Sequence, residues 1–117
     1  MDIQDEQKLA KAGDLREAEN FGESSKEYTE SLITLIDKQD YPALIHCLGG
    51  QSLIYKILAR KTNDQIYKNL FLSFAKEAVS ILEQRQEQVD PHAQSLALSS
   101  YADALLIDNK PSEALPY

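Results

Sequence analysis

Apolar residues recur at steps of three and four over most of this chain, which is the spacing that gathers them on one face of an α-helix. The first long stripe mixes small and large side chains, namely Leu15, Ala18, Gly22, Ser25, Tyr28, Leu32 and Leu35 or Ile36. It predicts a helix over 14–38. A shorter helix over 2–12 precedes it, and the two are separated by a break at Gly13-Asp14.

Proline and cap residues place the remaining helices. Pro42 suits the first turn of a helix, and Asn63 or Asp64, and later Asp90, are N-cap residues ahead of further apolar stripes. The predicted helices cover 42–60, 64–86 and 91–109, followed by a last piece at 112–117.

Strands have little support in the sequence. No run alternates between apolar and polar residues for long, and no Asn-Gly or Asp-Gly turn separates β-branched segments. The predicted fold is therefore all-α. The pair Gly49-Gly50 argues against a continuous helix over 42–60, because two glycines lower helix stability by about 2 kcal/mol relative to alanine in a helix interior. Either they let a neighbouring helix approach a continuous helix closely, or they form a loop between two short helices.

The breaks between helices recur along the chain. They fall at Gly13-Asp14, at 61–63 and at Asn109-Lys110, which is a period of about 48 residues and indicates stacked helix pairs. The sequence therefore predicts one helical-repeat domain over 1–117, with units of about 1–38, 42–86 and 91–117.

The last unit, LALSSYADALLIDNKPSEALPY, resembles a tetratricopeptide repeat. The matching residues are Leu98, Tyr101, Ala102, Leu105, Asn109 and Ala114, and Asp90-Pro91 is similar to the proline ahead of the family's first helix. The resemblance implies antiparallel helix pairs stacked as an α-solenoid, with a groove that binds a peptide or protein surface and no enzyme activity. In such pairs the small residues let two helices approach closely, while large residues fill the space between pairs.

Earlier parts of the chain match the family in part. The stretch AGDLREA is similar to its turn, with Gly13 at the turn and Ala18 as the small residue. The middle unit departs, with Tyr55 and Tyr67 at the small positions, and the repeats are longer than the usual length of about 34 residues. Because a terminal repeat covers its core with a polar face, the ending at Tyr117 leads us to expect a fragment of a longer array.

Charge and cysteine content limit the classes of partner and the cellular compartment that we expect. The net charge of −7 argues against a nucleic-acid partner. Acidic residues crowd positions 2–23, where they form either a solvated face or a surface for a basic partner. Cys47 is the only cysteine, which favours a buried thiol in a reducing cytoplasm. No window has the roughly 18 apolar residues of a membrane span, so we expect no membrane partner.

No catalytic or cofactor-binding pattern is visible, so we expect neither enzyme activity nor a cofactor. His46 and His92 lie on different predicted helices without Cys, Asp or Glu at metal-ligand spacing, which predicts structural roles and no metal site. The aromatic series Tyr67, Phe71 and Phe74 has helical spacing and is predicted to be core rather than a ligand cage.

The predicted partner contacts lie on one side of the helix over 91–109, at Leu96, Ser99, Ser100, Asp103 and Leu106. The partner is expected to be a protein or peptide, whose identity the sequence does not specify. The alternative function is a closed helical bundle that serves oligomerisation or regulation and has no peptide groove. Because the last helix pair is unfinished, we also expect a homodimer through an exposed C-terminal helix.

Overall fold

The computed structural model describes residues 2–85, 87 and 89–107. Over these ranges the chain forms five α-helices and no strand, which confirms the all-α prediction. The helices are α1 (Ile3–Glu17), α2 (Phe21–Lys38), α3 (Tyr41–Thr62), α4 (Gln65–Gln84) and α5 (Pro91–Ile107). The last predicted piece at 112–117, which includes Ala114, lies outside the described residues. The predicted turn at Asn109 also lies outside them.

Aspartates precede most of these helices, and Asp64 and Asp90 are among the predicted cap residues. The side chain of Asp2 accepts a hydrogen bond from the Asp5 amide at 2.8 Å, and Asp64 accepts one from the Ile66 amide at 2.8 Å. Asp90 does the same for the amide of Ala93 at 2.9 Å. Each bond satisfies an amide that the first helical turn leaves unpaired, which fixes where the helix starts.

The predicted break at Gly13-Asp14 is wrong. α1 continues through Gly13 to Glu17, and the turn comes later, where Glu19 adopts a left-handed φ of 62°. Asn20 then precedes the first residue of α2. A single glycine costs a helix only about 1 kcal/mol, and α1 buries Leu9 and Ala12. Gly13 is therefore not the turn residue that the repeat resemblance implies.

The pair Gly49-Gly50 lies inside a continuous α3, so the loop interpretation is wrong. Gly50 has no room for a larger residue, because a Cβ built there would lie 2.6 Å from Cε1 of Tyr28 in α2. Gly49 differs, since a Cβ at this position would meet no heavy atom within 4 Å. Close approach between α2 and α3 thus explains Gly50 but not Gly49.

Cross-helix contacts fix the direction of the helices. The ion pairs of Lys38 with Asp2 and of Lys8 with Glu30 show that α1 and α2 are antiparallel. Tyr28 contacts Cys47 while Ser25, one turn earlier in α2, contacts Tyr55, two turns later in α3, so these two helices are antiparallel as well. α1 and α3 therefore run in the same direction. α5 runs in the same direction as α3, because the N-terminal residues of both helices line one depression and Lys56 bonds to Asp103 further along both.

The core is arranged around α3, which packs against each of the other four helices. One cluster of buried residues joins α1, α2 and α3 around Leu35 and Ile54. Two further clusters join α4 and α5, with Phe71 and Ala104 in one and Val79 in the other. Among the described helices, none has both the length and the apolar content required to cross a bilayer.

Candidate functional site

A groove of about 390 Å³ lies where α1, α3 and α5 meet, and we call it the central groove. Each of the three helices contributes to its walls, and the floor reaches Tyr28 of α2 and Ala75 and Ala78 of α4. Most of the lining is apolar or small, including Leu9, Ala10, Gly49, Leu53, Leu96 and Ala97. A concave apolar surface of this size is typical of a ligand or peptide site.

Small residues create this space. Gly49 lies on the groove wall with no heavy atom within 4 Å of a Cβ built on it, so any side chain there would project into open volume. Ala97 on α5 and Ala78 on α4 are almost fully buried, and both line the same groove. A larger residue at any of these positions would reduce the volume of the groove.

Arg16 and Tyr28 form a polar pair in the groove wall. A guanidinium nitrogen of Arg16 donates a hydrogen bond to the Tyr28 hydroxyl oxygen over 2.7 Å. Burial raises the pKa of Tyr28, and the nearby positive charge of Arg16 partly opposes that rise. The phenol therefore keeps its proton at neutral pH. Within the described ranges, no carboxylate forms an ion pair with Arg16.

A second depression of about 460 Å³ adjoins the central groove and shares His46 and Leu96 with it. Its walls come from the N-terminal ends of α3 and α5 and include Asp90 and His92. Both histidines are exposed at this depression. The described residues contain no group of three His, Cys, Asp or Glu side chains that could hold a metal ion.

The five predicted contact residues fall into three environments. Leu96 is 52% exposed and lines both depressions, and Ser100 lines the central groove. Asp103 accepts a hydrogen bond from Lys56 of α3 at 2.8 Å, which ties α5 to α3. Ser99 and Leu106 are exposed on α5 and line neither depression.

Of the residues predicted to be core, Phe71 and Cys47 are buried, whereas Tyr67 and Phe74 are only partly buried. Phe71 is 1% exposed and lies in a hydrophobic cluster, while Tyr55 stacks on Phe74 with ring centroids 5.5 Å apart. Tyr67 stacks on the same Tyr55 ring from further away. Cys47 is fully buried, donates to the Tyr28 carbonyl oxygen at 3.1 Å, and has its pKa raised to about 12 by burial. The thiol is inert at neutral pH.

The sequence interpretation missed the side of the groove that α1 and α2 form. The sequence pattern places Gly13 at a turn and Tyr28 in an apolar stripe. It gives no role to Arg16. The available signal was a glycine inside a helical pattern, which marks a place where another group approaches the backbone. That signal was present at Gly13 as well as at Gly49-Gly50.

No protein-family model, curated protein or solved structure matches this chain.

Proposed function

We propose that this chain is a non-catalytic interaction module that binds a segment of a protein partner in the central groove. The main support for this proposal is an apolar groove lined by three helices that run in the same direction. Leu96 lies half-exposed at its edge. Apolar side chains that remain in contact with water at a concave surface gain free energy when a partner covers them.

The proposal includes stacked helix pairs of the tetratricopeptide-like kind. Support comes from the alternation of the helices, since α1, α3 and α5 line the groove while α2 and α4 pack behind them. A closed bundle would instead bury these three faces against one another. In such a stack, each additional helix pair would lengthen the groove. A cytoplasmic location agrees with the single buried thiol.

The groove chemistry favours a protein segment over a small polar substrate. Its charged residues, Glu6 and Arg16, lie on α1 about ten residues apart, which corresponds to roughly 15 Å along a helix. Between them the surface is apolar. Such a surface suits a peptide or helix whose apolar side chains fill the middle and whose polar groups meet the ends.

The test is selection from a random peptide library displayed on phage, followed by binding assays on two variants. Gly49→Leu fills the groove without meeting a neighbouring atom at Cβ, whereas Gly22→Leu adds the same side chain in equally open space on α2, away from the groove. We expect selected peptides to bind the parent chain and Gly22→Leu alike and to lose at least tenfold in affinity for Gly49→Leu.

Two results would count against the proposal. Selected peptides that bind Gly49→Leu as tightly as the parent chain would place binding elsewhere on the surface. Failure to enrich any peptide over several rounds, with the chain folded and monomeric, would favour the closed-bundle alternative.

A further inference from the structure

The pair of Arg16 and Tyr28 brings unused hydrogen-bond donors to the wall of the central groove. The Tyr28 hydroxyl accepts a bond from Arg16, and its own proton has no acceptor among the described residues. Arg16 likewise forms no ion pair with a described carboxylate and keeps most of its N–H donors unused. Both side chains line the groove, so these donors are available to whatever occupies it.

Two glycines hold this arrangement in place. The Tyr28 ring fills the space where residue 50 would carry a Cβ, and its hydroxyl oxygen lies 3.8 Å from the position of a Cβ on Gly13. The phenol thus passes between α1 and α3 and reaches the groove from the layer behind them. Tyr28 is only 2% exposed, so its position is fixed by packing before any ligand arrives.

We infer that Arg16 and Tyr28 form a subsite for the side-chain carboxylate of an acidic residue in the partner segment, next to an apolar side chain that lies over Gly49. This inference rests on the proposed function, because it names the chemistry of the same groove's occupant. We call the pair the carboxylate subsite.

A carboxylate matches this donor set better than other anions. It accepts hydrogen bonds through two oxygens, and its single charge is balanced by one guanidinium. A phosphate dianion would meet stronger repulsion from a chain whose net charge is −7. Acidic side chains occur on folded protein surfaces as well as on peptides, whereas a terminal carboxylate occurs only at a chain end. Leu9 and Leu53 provide the apolar wall beside the subsite.

Two capped dipeptides test the charge requirement directly. Acetyl-Leu-Glu-amide and acetyl-Leu-Gln-amide have nearly the same shape and differ in the carboxylate. In titrations followed by amide NMR spectra of the labelled chain, we expect the first to shift the Gly13 and Gly50 signals and to bind about tenfold more tightly than the second. Equal affinities, or no shift at these glycines with either dipeptide, would overturn the inference. Tighter binding of acetyl-leucine than of acetyl-Leu-Glu-amide would overturn the assignment to a side chain.

Two arginine variants distinguish binding at the carboxylate subsite from a general effect of the chain's net charge. Arg16→Gln and Arg60→Gln remove the same charge, but Arg60 is exposed near the end of α3 and does not line the groove. We expect Arg16→Gln to lower the affinity for acetyl-Leu-Glu-amide to that of the glutamine dipeptide, and Arg60→Gln to leave it within about twofold. Tyr28→Phe keeps the buried ring and should give a smaller loss. Equal losses in the two arginine variants would overturn the inference.

The outcomes also distinguish this inference from the proposed function. Library peptides that lose affinity for Gly49→Leu and not for Arg16→Gln would leave the groove function standing and remove the carboxylate subsite. An Arg16-dependent dipeptide in a chain that enriches no library peptide would keep the subsite and remove the proposed protein-binding role.

Discussion

Gly49 and Gly50 are adjacent in sequence, yet they have opposite surroundings. A side chain at Gly50 would collide with the buried Tyr28 ring, while a side chain at Gly49 would extend into the empty groove. Both glycines have helical backbone and neither has a positive φ, so conformational freedom does not explain either residue. Gly50 is explained by packing, and Gly49 by the volume that the groove needs.

This difference predicts stability changes of opposite sign. Gly49→Ala should raise the free energy of unfolding by up to about 1 kcal/mol, because alanine loses less backbone entropy in a helix. Gly50→Ala should lower it by about 1–3 kcal/mol, because its Cβ displaces a packed ring. Urea unfolding midpoints of the two variants against the parent chain measure both effects. Shifts in the same direction would contradict the environments described for these glycines.

The sequence predicted the burial of Tyr28 but not the role of its hydroxyl. Periodicity assigns a residue to a helix face, and on that basis Tyr28 belongs to the inner stripe of α2. The hydroxyl reaches Arg16 only because α1 and α3 pass on either side of it with glycines at Gly13 and Gly50. That arrangement depends on the packing of three helices, which no single stripe encodes.

Helix ends were predicted well where a cap residue is present. The cap pattern predicts Asn63 or Asp64 ahead of α4 and Asp90 ahead of α5, and the side chains of Asp64 and Asp90 do bond to amides in the first turns. The α1–α2 turn was misplaced because its left-handed residue is Glu19, a residue type with no turn preference, while Gly13 drew the prediction earlier. The burial of Leu9 and Ala12 stabilises α1 beyond that glycine.

The buried face of α5 matches the face that the repeat resemblance predicts only in part, since Leu105 is 2% exposed as expected but the buried small residue is a different one. Ala104 is 1% exposed and lies in a cluster with Phe71 and Ala75 of α4, whereas Ala102 is only half-buried. Small residues are thus present where α4 and α5 meet, but at a different position from the family match.

Enlarging these two alanines should have unequal effects. Ala104→Leu should lower the free energy of unfolding by about 1–3 kcal/mol, because the extra atoms would force α4 and α5 apart. Ala102→Leu on the same helix serves as the matched control and should cost less, since its side chain is partly in solvent. Thermal and urea unfolding of both variants measure the difference. A larger loss for Ala102→Leu would favour the packing register of the resemblance.

At the scale of the molecule, α3 holds the arrangement together. It packs against all four other helices, and its groove face carries His46, Gly49 and Leu53 between α1 and α5. The apolar stripes predicted the helices themselves and much of the core. The stripes could not predict the groove, because its volume depends on glycine and alanine side chains being small at the point where three helices meet.

The four glycines of the chain provide the most direct test of the groove as the binding surface. Gly13, Gly49 and Gly50 line the groove, and Gly22 lies outside it on α2. Amide NMR spectra of the labelled chain, recorded with and without a library-selected peptide, report on all four positions at once. We expect large shifts for Gly13, Gly49 and Gly50, with the Gly22 signal unchanged. A bound peptide that shifts Gly22 and leaves the other three signals in place would contradict this expectation.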